Sequence, residues 1–444
     1  MRMLTLLCVA LTVPTVFSAP PKKEYFLFES SDGPPQLAVP APRMGKEEQQ
    51  KQLIKQAKSK DNEEKFKAVT EIRQMLEDSR KNKTEKQLID EFVSAGVMDS
   101  LADCLSYDNR SRRELIRNAM DALAIIAPRK AEEILELHNL MDFLIYLLRN
   151  WSHNKDRENA ASILRNIAHK LVNKAKSDDT DDKLEAMTKI REMLENSLKN
   201  YAMKDLSDEF ISAGVLDLLV HYLSEDDPSQ PQLIENAMGA LAMIAPQKAE
   251  KIYNAKNNTE YLNFWLINSA DDKQLKNSAA FILKNIMSKL VEQAKSKEKD
   301  VKLEAVTKIF KALEDSQKHN TDEQLIEEFV SSGVLAPLAE CLSEDNASQL
   351  QLVENSMAAL AIIAPRKAKE IYRIPRLYTV GYLEYWLKNT TDDQLLKNAA
   401  SILKNIIAND CVHGLDYRVF SNLFDSRNTG VFEQAMWGAY HMIS

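Results

Sequence analysis

The sequence predicts an all-α protein built as a solenoid, because one long segment recurs three times and the composition is typical of helices. Residues 91–131 return as 209–249 and again as 328–368, with their turn residues and apolar positions nearly intact. Each such unit leaves an apolar face that only a neighbouring copy can cover, so repetition at a fixed period indicates a stacked array. The chain has 444 residues, of which 44% are hydrophobic and only 10 are glycine, and this favours helices.

The repetition extends over most of the chain as three large repeats. The segment that starts at Leu53 returns at Leu171 and at Leu290, so the copies begin 118 and 119 residues apart. We expect large repeats at residues 49–170, 171–289 and 290–410, followed by a partial repeat or cap at 411–444. Each large repeat holds three helical groups, which makes the smaller unit about 39 residues long. In the first group an apolar stripe at helical spacing must face a neighbouring helix, and in the second copy it consists of Leu184, Met187, Ile190 and Leu194.

The second group of each copy contains a glycine, namely Gly96, Gly214 or Gly333. A glycine at this position closes the first helix with a left-handed turn. The pattern then predicts a helix at 97–105 and a long apolar helix at 115–127, which Pro128 should end. The long helices of the third group are predicted at 159–167, 277–286 and 398–406.

These residues carry a family resemblance. The order AGV, LxxxLS, a polar loop and ENAMGALAMIA resembles the armadillo repeat, whose units have a glycine turn after a short first helix and a third helix rich in small residues. The resemblance covers roughly residues 49–444, as nine units and a partial tenth. It implies a right-handed α-solenoid. A plainer solenoid of helix pairs, of the HEAT type, remains an alternative because the first group of each copy lacks the glycine turn.

The resemblance also implies candidate binding residues. In armadillo proteins the third helices line a concave groove, and relatives similar to importin α bind extended peptides there through a ladder of Trp and Asn side chains. An Asn amide both donates to and accepts from a peptide backbone. The ladder Asn positions match Asn166, Asn285 and Asn405, whereas the Trp positions hold Ser162, Phe281 and Ser401. A hydrogen bond on the helix surface or between repeats is the structural alternative for these three asparagines.

The last unit offers a further match. Trp437 occupies the ladder Trp position there, and His441 stands where the Asn would be. A terminal repeat must present a less apolar outer face. The alternative is therefore that Trp437 and His441 belong to a C-terminal cap.

The N-terminal region predicts a secreted protein. Residues 1–18 combine a short charged start, an apolar stretch and small residues at a cleavage position, as in a signal peptide. Residues 19–48 are rich in proline and form a linker or a propeptide. No later run reaches about 18 apolar residues, so we expect no membrane span. The last four residues are not a KDEL-type retention signal, which favours secretion.

Sequons and cysteines bear on the same compartment. Six asparagines are followed by Ser or Thr at the second position, in predicted loops, and are candidates for glycosylation: Asn82, Asn109, Asn150, Asn257, Asn346 and Asn389. Cys104 and Cys341 share one repeat position, where the middle copy has Tyr222, so we expect buried free thiols. Cys411 is the third cysteine after the signal, and an odd count leaves a free thiol or an intermolecular bond.

Together these features predict a binding protein with no enzyme activity, no cofactor and no metal site. The chain lacks a Gly-rich phosphate loop, the common hydrolase motifs and Cys/His metal spacing. The net charge of −8 is spread over mixed Lys and Glu surfaces, which argues against nucleic acid as a partner. We expect a secreted, glycosylated scaffold that binds a protein or peptide on its concave groove. A lumenal chaperone cofactor of the nucleotide-exchange type in the endoplasmic reticulum and a structural extracellular protein without a discrete ligand are the alternatives; oligomeric state stays open.

Overall fold

The computed structural model describes residues 45–137, 139–224, 230–255, 261–262, 264–266, 272–318, 322–374 and 379–409. Every regular element in these ranges is a helix, so the predicted all-α class is confirmed. The expected signal peptide at 1–18 and the partial repeat at 411–444 lie outside the described residues. Most of the proline-rich segment does too, and its last residues, from Lys46 onward, already belong to the first helix.

The helices follow the large repeats. The first repeat contains α1 (Lys46–Ala57), α2 (Asn62–Lys81), α3 (Glu85–Ser94), α4 (Val97–Cys104), α5 (Arg113–Leu135), α6 (Leu140–Asn150) and α7 (Asn154–Ala175). The second contains α8 (Thr180–Lys199), α9 (Met203–Ser212), α10 (Val215–Ser224), α11 (Pro231–Asn254) and α12 (Lys273–Ala294); residues 261–262 and 264–266 are also helical. The third contains α13 (Lys299–Lys318), α14 (Asp322–Ser331), α15 (Leu335–Cys341), α16 (Leu350–Arg373), α17 (Thr379–Asn389) and α18 (Asp393–Ala408).

The long helices stack into a continuous series that we call the ladder. Each member contacts the next, in the order α2, α5, α7, α8, α11, α12, α13, α16 and α18. The shorter helices pack against individual members of the ladder, as α4 does against α5 and α10 against α11. This succession of short helices with a long helix that stacks on the next unit is the armadillo-like arrangement.

Local sequence explains the helix ends. Asp61 and Asp179 accept hydrogen bonds from two backbone N–H groups each at the starts of α2 and α8, which satisfies donors that have no partner within the helix. Gly96, Gly214 and Gly333 have φ angles of 88°, 87° and 84°. An L-residue is strained in this left-handed region, so the predicted glycine turns are confirmed.

The prediction that the long helix ends at Pro128 agrees with the structure to within two residues, because α5 consists of two helical segments that meet at the non-helical Lys130. Helix α5 runs on to Leu135, and it bends at Lys130, where φ is −127° and ψ is 33°. The corresponding lysines of α11 and α16 are non-helical in the same way. Ala131 and Ile134 are buried beyond the bend. Their packing holds the second helical segment against the core after the break at Lys130.

One apolar core extends through the array. It runs from Leu53 to Ile407 and includes Met187, Ile190 and Leu194 of the predicted stripe, all fully buried. Cys104 and Cys341 are free, fully buried thiols, as expected, and Tyr222 at the same position is only 3% exposed. Cys411 lies outside the described residues. Within the described ranges, none of the helices has both the length and the apolar character needed to cross a membrane.

Candidate functional site

The three predicted asparagines lie on ladder helices and bond within their own helices. Asn166, Asn285 and Asn405 donate from Nδ2 to the carbonyl oxygens of Ser162, Phe281 and Ser401, each at 2.8 Å. All three side chains are half-buried. An amide has two N–H donors and an acceptor, so each keeps hydrogen-bonding capacity for a ligand.

The structure does not bring these asparagines together. They belong to α7, α12 and α18, and two other ladder helices stand between α7 and α12 and again between α12 and α18. Trp437 and His441, predicted for the last unit, lie outside the described residues. The tryptophans at Trp151, Trp265 and Trp386 donate their indole N–H to other groups of the chain, so they serve the packing of the array. Phe281, at a ladder Trp position, is 47% exposed.

A groove of about 720 Å³ crosses three successive ladder helices of the third repeat, α13, α16 and α18. We call it the third-repeat groove. Its floor is apolar and is formed by Phe310, Ala358, Ala361, Ile362 and Leu395. Its remaining walls carry three carboxylates and four amides, from Glu314, Glu354, Asp392, Gln317, Asn355, Gln394 and Asn398. Such a floor with a few convergent polar groups is typical of ligand sites.

None of the described residues that line this groove is a cation. Glu314 pairs with Lys318 of its own helix at 3.6 Å. Asp392 caps α18 and accepts a hydrogen bond from the backbone N–H of Leu395 at 2.8 Å. Across the part of the chain that the structure describes, Glu354 makes no ion pair or hydrogen bond. The groove therefore combines an apolar floor with negative charge that is only partly compensated.

The same place in the first repeat holds a network of charges. Arg73 replaces Phe310, and its Nη1 lies 2.7 Å from Glu77 and 4.0 Å from Asp121. Asp121 replaces Ala358 and is 7% exposed. Lys155 approaches Asp121 to 3.2 Å, and Asn159 donates to it at 2.7 Å. Side chains of the repeat itself thus occupy this position.

In the second repeat, one arginine fills the position equivalent to the groove. Arg191, at the position of Phe310, donates from Nε to Glu195 at 3.0 Å and from Nη1 to Asn236 at 3.2 Å. Its Nη1 also lies 3.4 Å from Glu235. Gly239 leaves room for it, because a Cβ there would stand 3.4 Å from the arginine Nε. Sequence reasoning missed the third-repeat groove, although the substitution of phenylalanine for arginine was visible in the alignment of the copies.

A second cavity, of about 980 Å³, lies between α1 and α3. Its lining mixes Lys51, Lys83 and Lys86 with Glu47, Asp90 and Glu91. Lys51 and Glu47 pair at 2.7 Å, and Gln50 bonds to Glu91 at 2.8 Å. Because these charges compensate one another, this cavity selects a ligand less sharply than the third-repeat groove does.

The sequons differ in accessibility. Asn109 is only 6% exposed, and its Nδ2 donates to the carbonyl oxygens of Asp103 at 3.0 Å and Cys104 at 3.3 Å. Asn346 makes the same two bonds, to Glu340 and Cys341, each at 3.2 Å. By contrast, the exposed sequon asparagines are Asn82, Asn150 and Asn389. Asn257 lies outside the described residues.

Comparison with known proteins finds no matching family model and no matching curated protein. Among solved structures, an engineered protein is 21% identical, with 89% of this chain and 99% of that chain covered and a TM-score of 0.31. A designed armadillo repeat protein is also 21% identical, with 62% and 99% covered and a TM-score of 0.32. Another designed armadillo repeat protein, in complex with the peptide (KR)4, is 17% identical, with 62% and 98% covered and a TM-score of 0.30.

Sequence identity and structural similarity at these levels do not indicate which ligand this chain binds. The fold follows from the chain's own helix order, its three glycine turns and the ladder of long helices. On that evidence the chain is an armadillo-like all-α solenoid.

Proposed function

We propose that this protein is a binding scaffold that takes an extended segment of a partner protein across its ladder helices, with the third-repeat groove as the main contact. The observation that carries the proposal is the groove itself. Three helices present an open apolar floor with carboxylates around it, whereas arginines occupy the equivalent positions of the other two repeats.

The architecture suits this role energetically. The floor residues sit on helices that pack into one continuous core, so binding does not require the site to be ordered first. A preformed site loses less conformational entropy on association than a flexible one. Burial of apolar floor area supplies affinity, and the amide and carboxylate groups fix the register of the bound segment.

The test is affinity capture from extracellular fluid with the full chain, followed by quantitative mass spectrometry. Ala361→Gln places a larger side chain on the groove floor and should reduce partner recovery. Ala242→Gln is the matched control, because Ala242 holds the same position in the second repeat and is equally half-buried. Equal recovery with both variants would refute the groove as the contact. The combined change of Asn166, Asn285 and Asn405 to Ala should lower recovery if the partner extends along all three repeats.

We further propose that the protein is secreted and glycosylated. Residues 1–18 support this through their signal-like composition, and exposed sequons at Asn82, Asn150 and Asn389 support it through their accessibility. Expression of the full chain in a secreting cell should give a product in the medium that becomes smaller after enzymatic removal of N-glycans. Retention in the cell lysate would favour the lumenal chaperone cofactor. Secretion without any captured partner would favour the structural extracellular protein.

A further inference from the structure

We propose that the third-repeat groove receives an arginine side chain of the partner, in the place that the chain's own arginine takes in the second repeat. The proposal rests on the function proposed above and names the chemistry that the groove recognises. It follows from a comparison of the three internal copies and from an amide donor without a partner.

The second repeat shows how an arginine is held at this place. The guanidinium of Arg191 is contacted by Glu195 and Glu235 and by the Oδ1 of Asn236, all within 3.4 Å. Its Nε, Cζ and Cδ lie over Gly239. This set combines two carboxylates and an amide oxygen, all acceptors, which suits the five N–H donors of a guanidinium.

The third repeat keeps the two carboxylates but not the arginine, and the Oδ1 of its Asn355 accepts a hydrogen bond from Gln351 at 3.1 Å. Glu314, Glu354 and Asn355 stand at the positions of Glu195, Glu235 and Asn236, each 119 residues further along the chain. All three line the groove. Phe310 replaces the arginine, so two carboxylates face an apolar floor with only the exposed Lys318 beside one of them. An arginine from another molecule would restore the charge balance of the second repeat.

Asn398 gives a second and independent indication of a ligand. Its side chain is 9% exposed and lines the groove. Its Oδ1 accepts a hydrogen bond from Gln394 at 3.0 Å, but its Nδ2 donates to no described residue. The equivalent Asn159 of the first repeat donates to Asp121, and Ala358 has replaced that aspartate in the third repeat. This amide donor remains accessible from the groove, and it can bind an incoming acceptor such as a backbone carbonyl beside the bound arginine.

Phe310 favours arginine over other cations. A guanidinium stacks on an aromatic ring and forms paired hydrogen bonds to carboxylates at the same time. An ammonium group is a compact and strongly hydrated charge that loses more on leaving water. The groove thus offers a stacking surface, two carboxylates and the side-chain amide donor of Asn398 to one residue of the partner and its backbone carbonyl.

Methyl NMR on the full chain tests this directly. Ile362 lies on the groove floor, and Ile125 occupies the same position in the first repeat, so labelled isoleucine δ1 methyl groups give a reporter and its control in one molecule. The probe is a capped seven-residue peptide with one central arginine. We expect a saturable shift of the Ile362 signal and none of Ile125. The citrulline peptide, which has the same shape without the charge, should bind at least about fivefold more weakly.

Variants identify the place of binding. Phe310→Arg supplies the internal arginine and should abolish the Ile362 response to the peptide. Glu354→Gln keeps the shape of the side chain and should weaken binding about fivefold. This second variant tests the proposal independently of whether Phe310→Arg folds well. Arg191→Phe is the matched control, and the Ile362 response should remain.

An unchanged response in Phe310→Arg or equal binding of the citrulline peptide overturns the proposal. The same experiments distinguish a failure of this proposal from a failure of the proposed function. If a captured partner is sensitive to Ala361→Gln but not to Phe310→Arg or Glu354→Gln, the scaffold stands and the arginine is wrong. If the arginine peptide binds as expected but no partner is captured, the proposed function fails.

Discussion

Asn355 donates a hydrogen bond of 2.8 Å from its Nδ2 to the Oγ1 of Thr307 and thereby joins α16 to α13. The same bond joins Asn118 to Thr70 at 2.8 Å and Asn236 to Thr188 at 3.1 Å. The hydroxyls of Thr70 and Thr307 donate in turn to the carbonyl oxygens four residues earlier, at 2.7 Å. This polar link between two ladder helices thus recurs in every large repeat. In the third repeat this link fixes two of the three helices that form the groove.

Loss of this link should destabilise the array. Asn118→Ala removes a bond between helices from a side chain that is 7% exposed, and it should lower the free energy of unfolding by about 1 kcal/mol. Asn166→Ala is the control, since its amide bonds only to its own helix; a change below about 0.5 kcal/mol is expected. Urea unfolding followed by circular dichroism measures both. Equal losses in the two variants would contradict the prediction.

The glycine turns should not tolerate a side chain. Gly214→Ala has open space around the added Cβ, but φ of 87° places an L-residue in the left-handed region, at a cost of about 1 to 2 kcal/mol. Gly381→Ala provides the contrast. That glycine lies within helix α17 with nothing near its Cβ, so alanine should stabilise the protein by up to about 1 kcal/mol. Thermal unfolding should therefore shift in opposite directions, and a shift in the same direction would refute the assignment.

Asn109 should behave as a structural residue although it forms part of a sequon. Its side chain is nearly buried and holds the loop after α4 through two backbone carbonyls. Asn109→Gln should cost about 1 kcal/mol of stability, whereas Asn82→Gln should be neutral because Asn82 is exposed.

Glycopeptide mapping of the secreted protein completes this test. Glycans are expected at Asn82, Asn150 or Asn389, and Asn109 should be unmodified in folded molecules because a sugar does not fit a buried nitrogen. High occupancy at Asn109 in folded protein would contradict this reading.

The buried thiols should be inert at neutral pH. Burial raises the pKa of Cys104 to about 11 and also raises that of Cys341; reaction with alkylating reagents requires the thiolate and access to it. Native protein at pH 8 should leave both cysteines unmodified, and they should react at once in urea. Peptide mapping after alkylation measures this.

The same raised pKa affects stability at high pH. In the unfolded chain the thiol ionises from the ordinary value of 9.0, while in the folded chain Cys104 ionises only near 11. The unfolded state therefore loses its proton first, and the stabilising contribution is complete below pH 9 and lost between pH 9 and 11. We expect the free energy of unfolding to fall less between pH 9 and 11 in Cys104→Ala than in the unmodified protein, when each is compared with its own value at pH 8.

Local features of the fold could be predicted from the sequence. Gly214 and its two counterparts follow from backbone geometry at one residue, and the burial of Ile190 follows from a periodicity within one helix. The break in α5 could be predicted from Pro128 to within two residues. The position of the helical segment that follows could not, because it depends on the packing of Ile134 in the core.

The groove was harder to predict than the fold. It depends on Phe310, Ala358 and Leu395, which lie on three different helices. These residues form a groove only when the helices stack in the folded protein. Asn166, Asn285 and Asn405 were proposed from a family resemblance, and their role in binding stays a prediction. The difference between Phe310 and Arg191 is present in the sequence, but its consequence depends on how α13, α16 and α18 stack.

Helix α7 runs without interruption from Asn154 to Ala175, across the boundary between the first and second repeats at 170/171, and α12 does the same at 289/290. A cut at these predicted boundaries would therefore divide a helix, whereas the loops at 176–179 and 295–298 bound one period without dividing any helix. Gain or loss of a whole repeat at these loops would leave every long helix and its apolar stripe intact. A change of array length by any other amount would bring unlike helices into contact and leave apolar faces without their usual partner.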